Sequence, residues 1–118
     1  MTPLFKRIDT VFLKVNDFER AIDWYCSVLG FTLRWKESEG GYAALNIGET
    51  PLTLVRSSVK VKESSVSFNF FSPDIETAHH HLKMNHVKVE PIQDEGDVKW
   101  FRFYDLEENQ LEVCSFRE

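Results

Sequence analysis

Residues 15–31 read VNDFERAIDWYCSVLGF, and this stretch decides how the chain is built. Asn16-Asp17 supplies side-chain oxygens that cap a helix, and Gly30 supplies a residue that tolerates the positive φ of a helix end. Apolar residues recur between them at helical spacing. They are Phe18, Ala21, Ile22, Tyr25 and Leu29. The stretch therefore predicts one amphipathic helix of about three turns, with its apolar face on a sheet.

Extended segments surround this helix. Residues 8–15 are rich in β-branched and aromatic residues, and Val11, Leu13 and Val15 alternate onto one face. Three further extended segments follow the helix, separated by Gly-containing turns. They are residues 31–36, 42–47 and 52–56. The first half of the chain is thus predicted to have the order βαβββ.

The same order recurs after a polar connector at residues 57–65. A strand at 66–71 precedes Ser72-Pro73-Asp74, which caps a second helix with Pro at its first turn. Three more strands are predicted at residues 87–92, 100–105 and 111–116. The two helices open at Asp17 and Asp74, 57 positions apart, and the later strands match at an offset of 58 that equates Leu54 with Glu112. This pattern indicates an internal duplication.

Composition limits the class of protein. The 118 residues suffice for one domain with its own core, and 42% of them are hydrophobic. With 14 basic against 19 acidic residues the net charge is −5, which disfavours nucleic acid as a partner. The apolar runs are far shorter than the ~20 residues of a membrane span, and the first residues lack a signal-peptide core. We expect a cytoplasmic protein with no membrane partner.

The two cysteines, Cys26 and Cys114, form no disulfide framework and have no metal-type spacing. Both are interpreted as small buried hydrophobic residues, and Cys114 would become a nucleophile only beside a base that the sequence does not reveal.

Two motifs stand out in this repeat: the helix ending in Tyr25, Leu29-Gly30-Phe31, and residues 105–112, which read DLEENQLE. With the two βαβββ copies, they resemble the vicinal oxygen chelate superfamily, which includes glyoxalase I, bleomycin-resistance proteins, fosfomycin-resistance enzymes and extradiol dioxygenases. The resemblance covers residues 7–116. It implies an α+β fold in which modules 7–56 and 66–116, joined by linker 57–65 within a single domain 1–118, form a curved, cup-shaped mixed sheet with the helices outside.

In such a fold the ligand occupies the cup. Val11, Leu13 and Val15 are predicted to face the helices. Strand alternation therefore turns Thr10, Phe12 and Lys14 into the cup. The same parity, carried through the repeat, predicts the ligand-binding set Phe12, Lys14, Arg56, Asn69, Phe71, Trp100, Arg102, Tyr104 and Glu112. Aromatic faces and Arg forks favour a small aromatic or anionic ligand. The alternative is a cup filled by its own side chains, with the cations at its rim.

The resemblance also implies four metal-ligand positions, which correspond in this chain to Thr10, Leu54, Ser67 and Glu112. Leu54 has no donor atom and hydroxyls are poor ligands, so only Glu112 could bind a divalent metal strongly. The favoured interpretation of Glu112 is a carboxylate retained by ancestry or paired with an inward cation such as Arg102 or Arg56. We expect no metal and no other cofactor.

Histidines offer no better metal site. The side chains of His79, His80 and His81 point about 100° apart on a helix and cannot converge on one ion. Glu76 with His79 or His80 could form a weak surface site, although a solvated helix face is favoured over it. His86 is interpreted as the corner residue after the second helix.

Three functions follow from these features. The favoured one is a small-molecule binding protein of the bleomycin-resistance kind that needs no metal. The second is a metal-dependent lyase, isomerase or dioxygenase with a non-standard site centred on Glu112. The third is an interaction module without a ligand. A homodimer is expected, because a short aromatic-rich chain has to cover the open edges and apolar flanks of a curved sheet.

Overall fold

In the computed structural model, which describes residues 3–58 and 68–118, each half of the chain builds one helix and one four-stranded sheet. The two units are Met1–Val59 and Lys60–Glu118. In both, the helix follows the first strand and three strands follow the helix. The α+β class and the two βαβββ modules are therefore confirmed.

The first unit has the sheet order β1-β4-β3-β2, in which β1 is parallel to β4 and the other pairs are antiparallel. Its elements are β1 (Val11–Val15), α1 (Phe18–Ser27), β2 (Thr32–Glu37), β3 (Tyr42–Asn46) and β4 (Leu52–Arg56).

The second unit repeats this arrangement as β5-β8-β7-β6, with β5 parallel to β8. Its elements are β5 (Phe70–Phe71), α2 (Ile75–Met84), β6 (Gln93–Asp94), β7 (Val98–Tyr104) and β8 (Gln110–Phe116). Each sheet has one face that packs on the unit's own helix. We call the opposite face the distal face.

Both helices begin at an aspartate cap. Asp17 Oδ1 accepts a hydrogen bond from the Arg20 amide at 3.2 Å, and Asp74 Oδ1 accepts one from the Thr77 amide at 3.1 Å. The Thr77 hydroxyl also donates to Asp74, and together these bonds hold the pKa of the Asp74 carboxyl below its ordinary value. Pro73 lies before the cap, so its placement in the first turn was wrong.

The buried sides of the helices follow the predicted spacing. Phe18, Ala21, Ile22 and Tyr25 are buried on α1. On α2, Ile75 and Leu82 are buried, and Ala78 and His79 are half-buried.

Some predicted strands are shorter than the sequence suggested. Residues 8–10 are not in β1, and residues 87–92 form only an isolated bridge from Val89 to Phe103 before β6 begins. The pairing register changes by one residue in this segment, since Val89 is paired with Phe103 but Gln93 with Trp100, and Pro91 lies at this irregularity. Of the strand predicted at 66–71, residues 66 and 67 lie outside the described part of the chain, as do 59–65 of the connector.

The edge strand β2 is exposed along all six residues and contains a bulge between Leu33 and Trp35. Arg34 at this bulge donates to Asn46 Oδ1 at 2.7 Å.

The Asp105–Asn109 motif closes the hairpin between β7 and β8. Asp105 Oδ1 accepts from the amides of Glu107 and Asn109 at 2.9 and 2.8 Å, and its Oδ2 accepts from Asn109 Nδ2 at 2.9 Å. Both side chains are buried. The motif therefore has a structural role in a turn, because a buried carboxylate needs such donors.

Gly41 lies where the β2–β3 turn meets β4. Its φ is +76°, its carbonyl accepts from the Arg56 amide at 2.8 Å, and a Cβ added to it would lie 2.5 Å from Arg56 Cβ. Only glycine permits this approach, since both the backbone angle and the space exclude a side chain.

We predict that Gly41→Ala destabilises the protein more than the matched change Gly48→Ala. Gly48 has a φ of +52° and open space around an added Cβ, so its substitution carries only the backbone penalty, about 1 kcal/mol. At Gly41 the clash adds a further ~1 to 3 kcal/mol. Urea unfolding of both variants measures the difference, and equal losses would contradict the close approach.

Candidate ligand site

Strand pairing places most of the predicted site residues of the second unit on one distal face. Trp100 is opposite Cys114 and Arg102 is opposite Glu112, while Phe71 pairs with Cys114 from the other side. Paired residues share a face, and residues two apart on a strand share it too. The second distal face therefore carries Asn69, Phe71, Trp100, Arg102, Tyr104, Glu112 and Cys114.

The centre of this face is a loosely held ion pair. Arg102 Nε lies 4.0 Å from Glu112 Oε1, and Asn69 Nδ2 donates to Glu112 Oε2 at 3.4 Å. The Arg102 guanidinium also lies 5.2 Å from the centre of the Trp100 ring, in cation–π range. Both charged side chains are partly exposed, 44% for Arg102 and 36% for Glu112. A ligand could thus reach the ring, the cation and the carboxylate together.

Tyr104 forms a second polar group on the same face. Its hydroxyl donates to Glu90 Oε2 at 2.7 Å, and Lys88 Nζ lies 4.7 Å from its ring centre. The bond to Glu90 raises the pKa of Tyr104 above its ordinary value, burial and the charge of Glu90 add to this, and Arg102 opposes it. The Tyr104 hydroxyl proton is therefore held in the hydrogen bond to Glu90.

Three residues of this neighbourhood were missed at the sequence level: Lys88, Glu90 and Glu95. Glu95 accepts from the Trp100 indole at 3.2 Å. A signal existed for the other two, because Lys88 and Glu90 alternate with Val87 and Val89, and strand parity would have placed them beside Arg102 and Tyr104.

The first unit corrects the predicted parity of β4. Leu13 is paired with Leu54, and Phe12 is paired with Thr53. Leu54 therefore shares the helix side of the sheet with Leu13 and is fully buried, whereas Thr53 shares the distal face with Thr10, Phe12 and Lys14. Thr10 Oγ1 and Thr53 Oγ1 lie 2.6 Å apart in a hydrogen bond. The assignment of Leu54 to the metal position was wrong by one residue.

Arg56 was also assigned to the wrong face. It is paired with Val15 on the helix side, its guanidinium lies 4.8 Å over the Phe18 ring, and its Nη2 donates to the Ser38 carbonyl at 2.9 Å. Arg56 therefore packs against α1 and is not a residue of the distal face.

Among the residues that the structure describes, those at the implied metal positions do not form a ligand set for a divalent metal. Within residues 3–58 and 68–118 no three His, Cys, Asp or Glu side chains come together as a metal site would require. Thr10 and Thr53 hydrogen-bond each other, and the groups beside Glu112 are the amide Asn69 and the cation Arg102. A cation beside a carboxylate disfavours a metal ion there. Ser67 lies outside the described residues.

Two other chemical candidates have structural explanations. Burial, with the nearby charge of Glu112, raises the pKa of the Cys114 thiol, and such a thiol is a weak nucleophile at neutral pH. His79 Nε2 lies 3.0 Å from the Glu90 carbonyl, and its ring meets Phe101 edge-on at 4.8 Å. His79 thus joins α2 to the sheet. His86 follows α2 with a φ of +62°, which agrees with its interpretation as a corner residue.

A separate cavity of about 460 Å³ lies at the start of α2 and the ends of β7 and β8. Its lining includes Asp74, Glu76, Lys99 and Arg117. None of the predicted ligand-binding residues lines it.

Comparison with known proteins agrees with this fold. The family model of the Glyoxalase/Bleomycin resistance protein/Dioxygenase superfamily matches residues 7–113. The uncharacterized protein YraH of Bacillus subtilis (strain 168) is 40% identical over 43 residues, which are 36% of this chain and 34% of YraH. The match thus spans about a third of that relative.

Two solved structures share the architecture. TnmS3, an antibiotic binding protein from Streptomyces sp. CB03234, has a TM-score of 0.84 at 18% identity, over 98% of this chain and 100% of that one. Lactoylglutathione lyase from Agrobacterium tumefaciens has a TM-score of 0.76 at 16% identity, over 96% of each chain. At these identities the likeness shows the fold alone. Neither helix in the described part of the chain is long and apolar enough to cross a membrane.

We predict that Glu90→Gln lowers the pKa of Tyr104 toward its ordinary value of about 10, and that Arg102→Gln raises it further. The raised pKa means that the Tyr104–Glu90 contact stabilises the fold below about pH 10 and is lost as the pH rises through the folded pKa. Ultraviolet difference titration, with Tyr104→Phe to assign the transition, measures both shifts. An unchanged Tyr104 pKa in Glu90→Gln would show that this bond is absent in solution.

Proposed function

The chain belongs to the Glyoxalase/Bleomycin resistance protein/Dioxygenase superfamily, and from this membership we propose that it binds a small aromatic molecule with an anionic group on the distal face of its second sheet, without a metal ion. The observation that carries the proposal is the Trp100–Arg102–Glu112 group, in which a ring, a cation and a carboxylate share one partly exposed face. Small-molecule sites combine apolar surface with a few oriented polar groups in this way.

Each side chain has a distinct role in the proposed binding. The Trp100 ring offers a surface on which an aromatic ring can stack. Arg102 presents a planar fork to a carboxylate or phosphate, and neighbouring Phe71, 38% exposed, adds apolar contact area. Arg56 has no part in this site, because it packs on α1.

The comparison with TnmS3 supports binding as the function, since that protein is named for binding an antibiotic. A shared fold cannot decide between binding and catalysis, and the lyase from Agrobacterium tumefaciens has the same architecture. The side chains at the implied metal-ligand positions favour ligand binding over metal-dependent catalysis. Glu112 is the one carboxylate among the four positions to which the resemblance assigns metal ligands. Its hydrogen-bond and ion-pair partners in the described part of the chain are Asn69 and Arg102.

The test uses Trp fluorescence and calorimetry with benzoate, salicylate and indole-3-acetate as probes. We predict that Arg102→Ala weakens binding roughly ten- to a hundredfold, because a hydrogen bond to a charged group contributes about 1.5 to 3 kcal/mol. Its unfolding free energy should change by less than about 1 kcal/mol, since the Arg102–Glu112 pair is long and exposed.

Lys99→Ala is the matched control for this variant. Lys99 is a partly exposed cation on the same strand, and it lies on the opposite face, 4.0 Å from Glu76 and from Asp94. Its removal should leave probe affinity unchanged, and added Zn²⁺, Ni²⁺ or Mn²⁺ should not strengthen binding to the parent protein. No binding of any probe, or equal losses in both variants, would refute the proposed site.

The proposal includes a homodimer. Apolar side chains of the first unit support it, because Phe12 is 62%, Trp35 49% and Leu33 44% exposed. We predict a sedimentation mass of about twice 13.8 kDa at micromolar concentration. A mass equal to that of one chain would contradict the dimer.

A further inference from the structure

Arg102 and Glu112 form an ion pair that has no hydrogen bond between its two charged groups. Arg102 Nε and Glu112 Oε1 are 4.0 Å apart, beyond hydrogen-bond length, and the Asn69 bond to the other carboxylate oxygen is long at 3.4 Å. In the described part of the chain no other side chain forms a hydrogen bond or ion pair with either charged group. The two charges therefore lie side by side on the face with most of their hydrogen-bonding capacity unused.

We infer that this pair, with Trp100, recognises a zwitterion, and that the ligand class is an aromatic α-amino acid. The inference rests on the proposed function and specifies its ligand. In an α-amino acid the ammonium and carboxylate groups are attached to the same carbon and lie roughly 3 Å apart. The carboxylate can accept from Arg102 while the ammonium donates to Glu112, and the side-chain ring lies against Trp100.

Charge explains why both ligand groups are needed. An anion that binds Arg102 comes within a few ångströms of the Glu112 carboxylate and is repelled by it. A cation that binds Glu112 is repelled by Arg102 in the same way. A zwitterion meets an opposite charge at both places, so the pair selects against ligands with a single charge.

Tyr104 supports this selection. Because its proton is donated to Glu90 Oε2 at 2.7 Å, its oxygen can offer a ligand only an acceptor. Three acceptors, Glu90, Tyr104 and Glu112, thus lie on this face near Arg102. They share it with two donors, the Asn69 amide and Lys88. The acceptors can receive N–H donors from a ligand that also carries an anion.

The test compares three matched probes by calorimetry on the full chain: phenylalanine, 3-phenylpropanoate, which lacks the ammonium, and 2-phenylethylamine, which lacks the carboxylate. The parent protein should bind phenylalanine at least tenfold more tightly than either of the others. Glu112→Gln should lose most of that preference and gain affinity for 3-phenylpropanoate. Arg102→Gln should lose phenylalanine and gain affinity for 2-phenylethylamine.

These opposite gains separate recognition from a structural role, since a structural defect would weaken all three probes. Thermal unfolding of both Gln variants checks that they fold. Equal affinity for 3-phenylpropanoate and phenylalanine in the parent would overturn the inference and leave the proposed binding of aromatic anions standing. No binding of these probes or of the aromatic acids would overturn both.

Discussion

The in-register pairing of β7 with β8 is the constraint on which the candidate site depends. Side chains on a strand alternate between two faces, so pairing Phe101 with Val113 and Phe103 with Leu111 in the core forces Arg102 and Glu112 onto the other face together. A shift of β7 by one residue would turn Arg102 toward α2 and expose the fully buried rings of Phe101 and Phe103. The hydrophobic core of the second unit thus fixes the position of its polar groups.

Much of the fold could be predicted from the sequence because several signals agreed. The aspartate caps, the helical spacing and the glycine turns gave the correct order of elements, and the alternation of Trp100, Arg102 and Tyr104 with Phe101 and Phe103 gave the correct face of β7. Strand β7 has polar or amphipathic residues on one face and purely apolar residues on the other, so its orientation can be predicted from the sequence.

The orientation of β4 could not be read in this way. Leu52, Thr53 and Leu54 are all buried, so the strand has no polar side that marks a face. The face of each β4 side chain was predicted from the repeat at an offset of 58, which equates Leu54 with Glu112. Strand pairing gives an offset of 59 and equates Thr53 with Glu112. The reason is that Leu13 pairs with Leu54 in the first unit and Phe70 pairs with Val113 in the second. A single residue of loop length therefore moved Arg56 and Leu54 to the wrong side. Side-chain hydrogen bonds such as Tyr104–Glu90 depend on interatomic distances that a sequence pattern does not give.

The bulge in β2 has a consequence for how the first sheet meets other molecules. An edge strand with unpaired backbone groups can be extended by a strand from another chain, which is a route to aggregation. The extra residue between Leu33 and Trp35 interrupts the regular spacing of those groups, and Arg34 and Lys36 add charge along the same edge. Strand addition is therefore disfavoured at this edge, and the chain can keep apolar side chains exposed there without recruiting its neighbours into a continuous fibre.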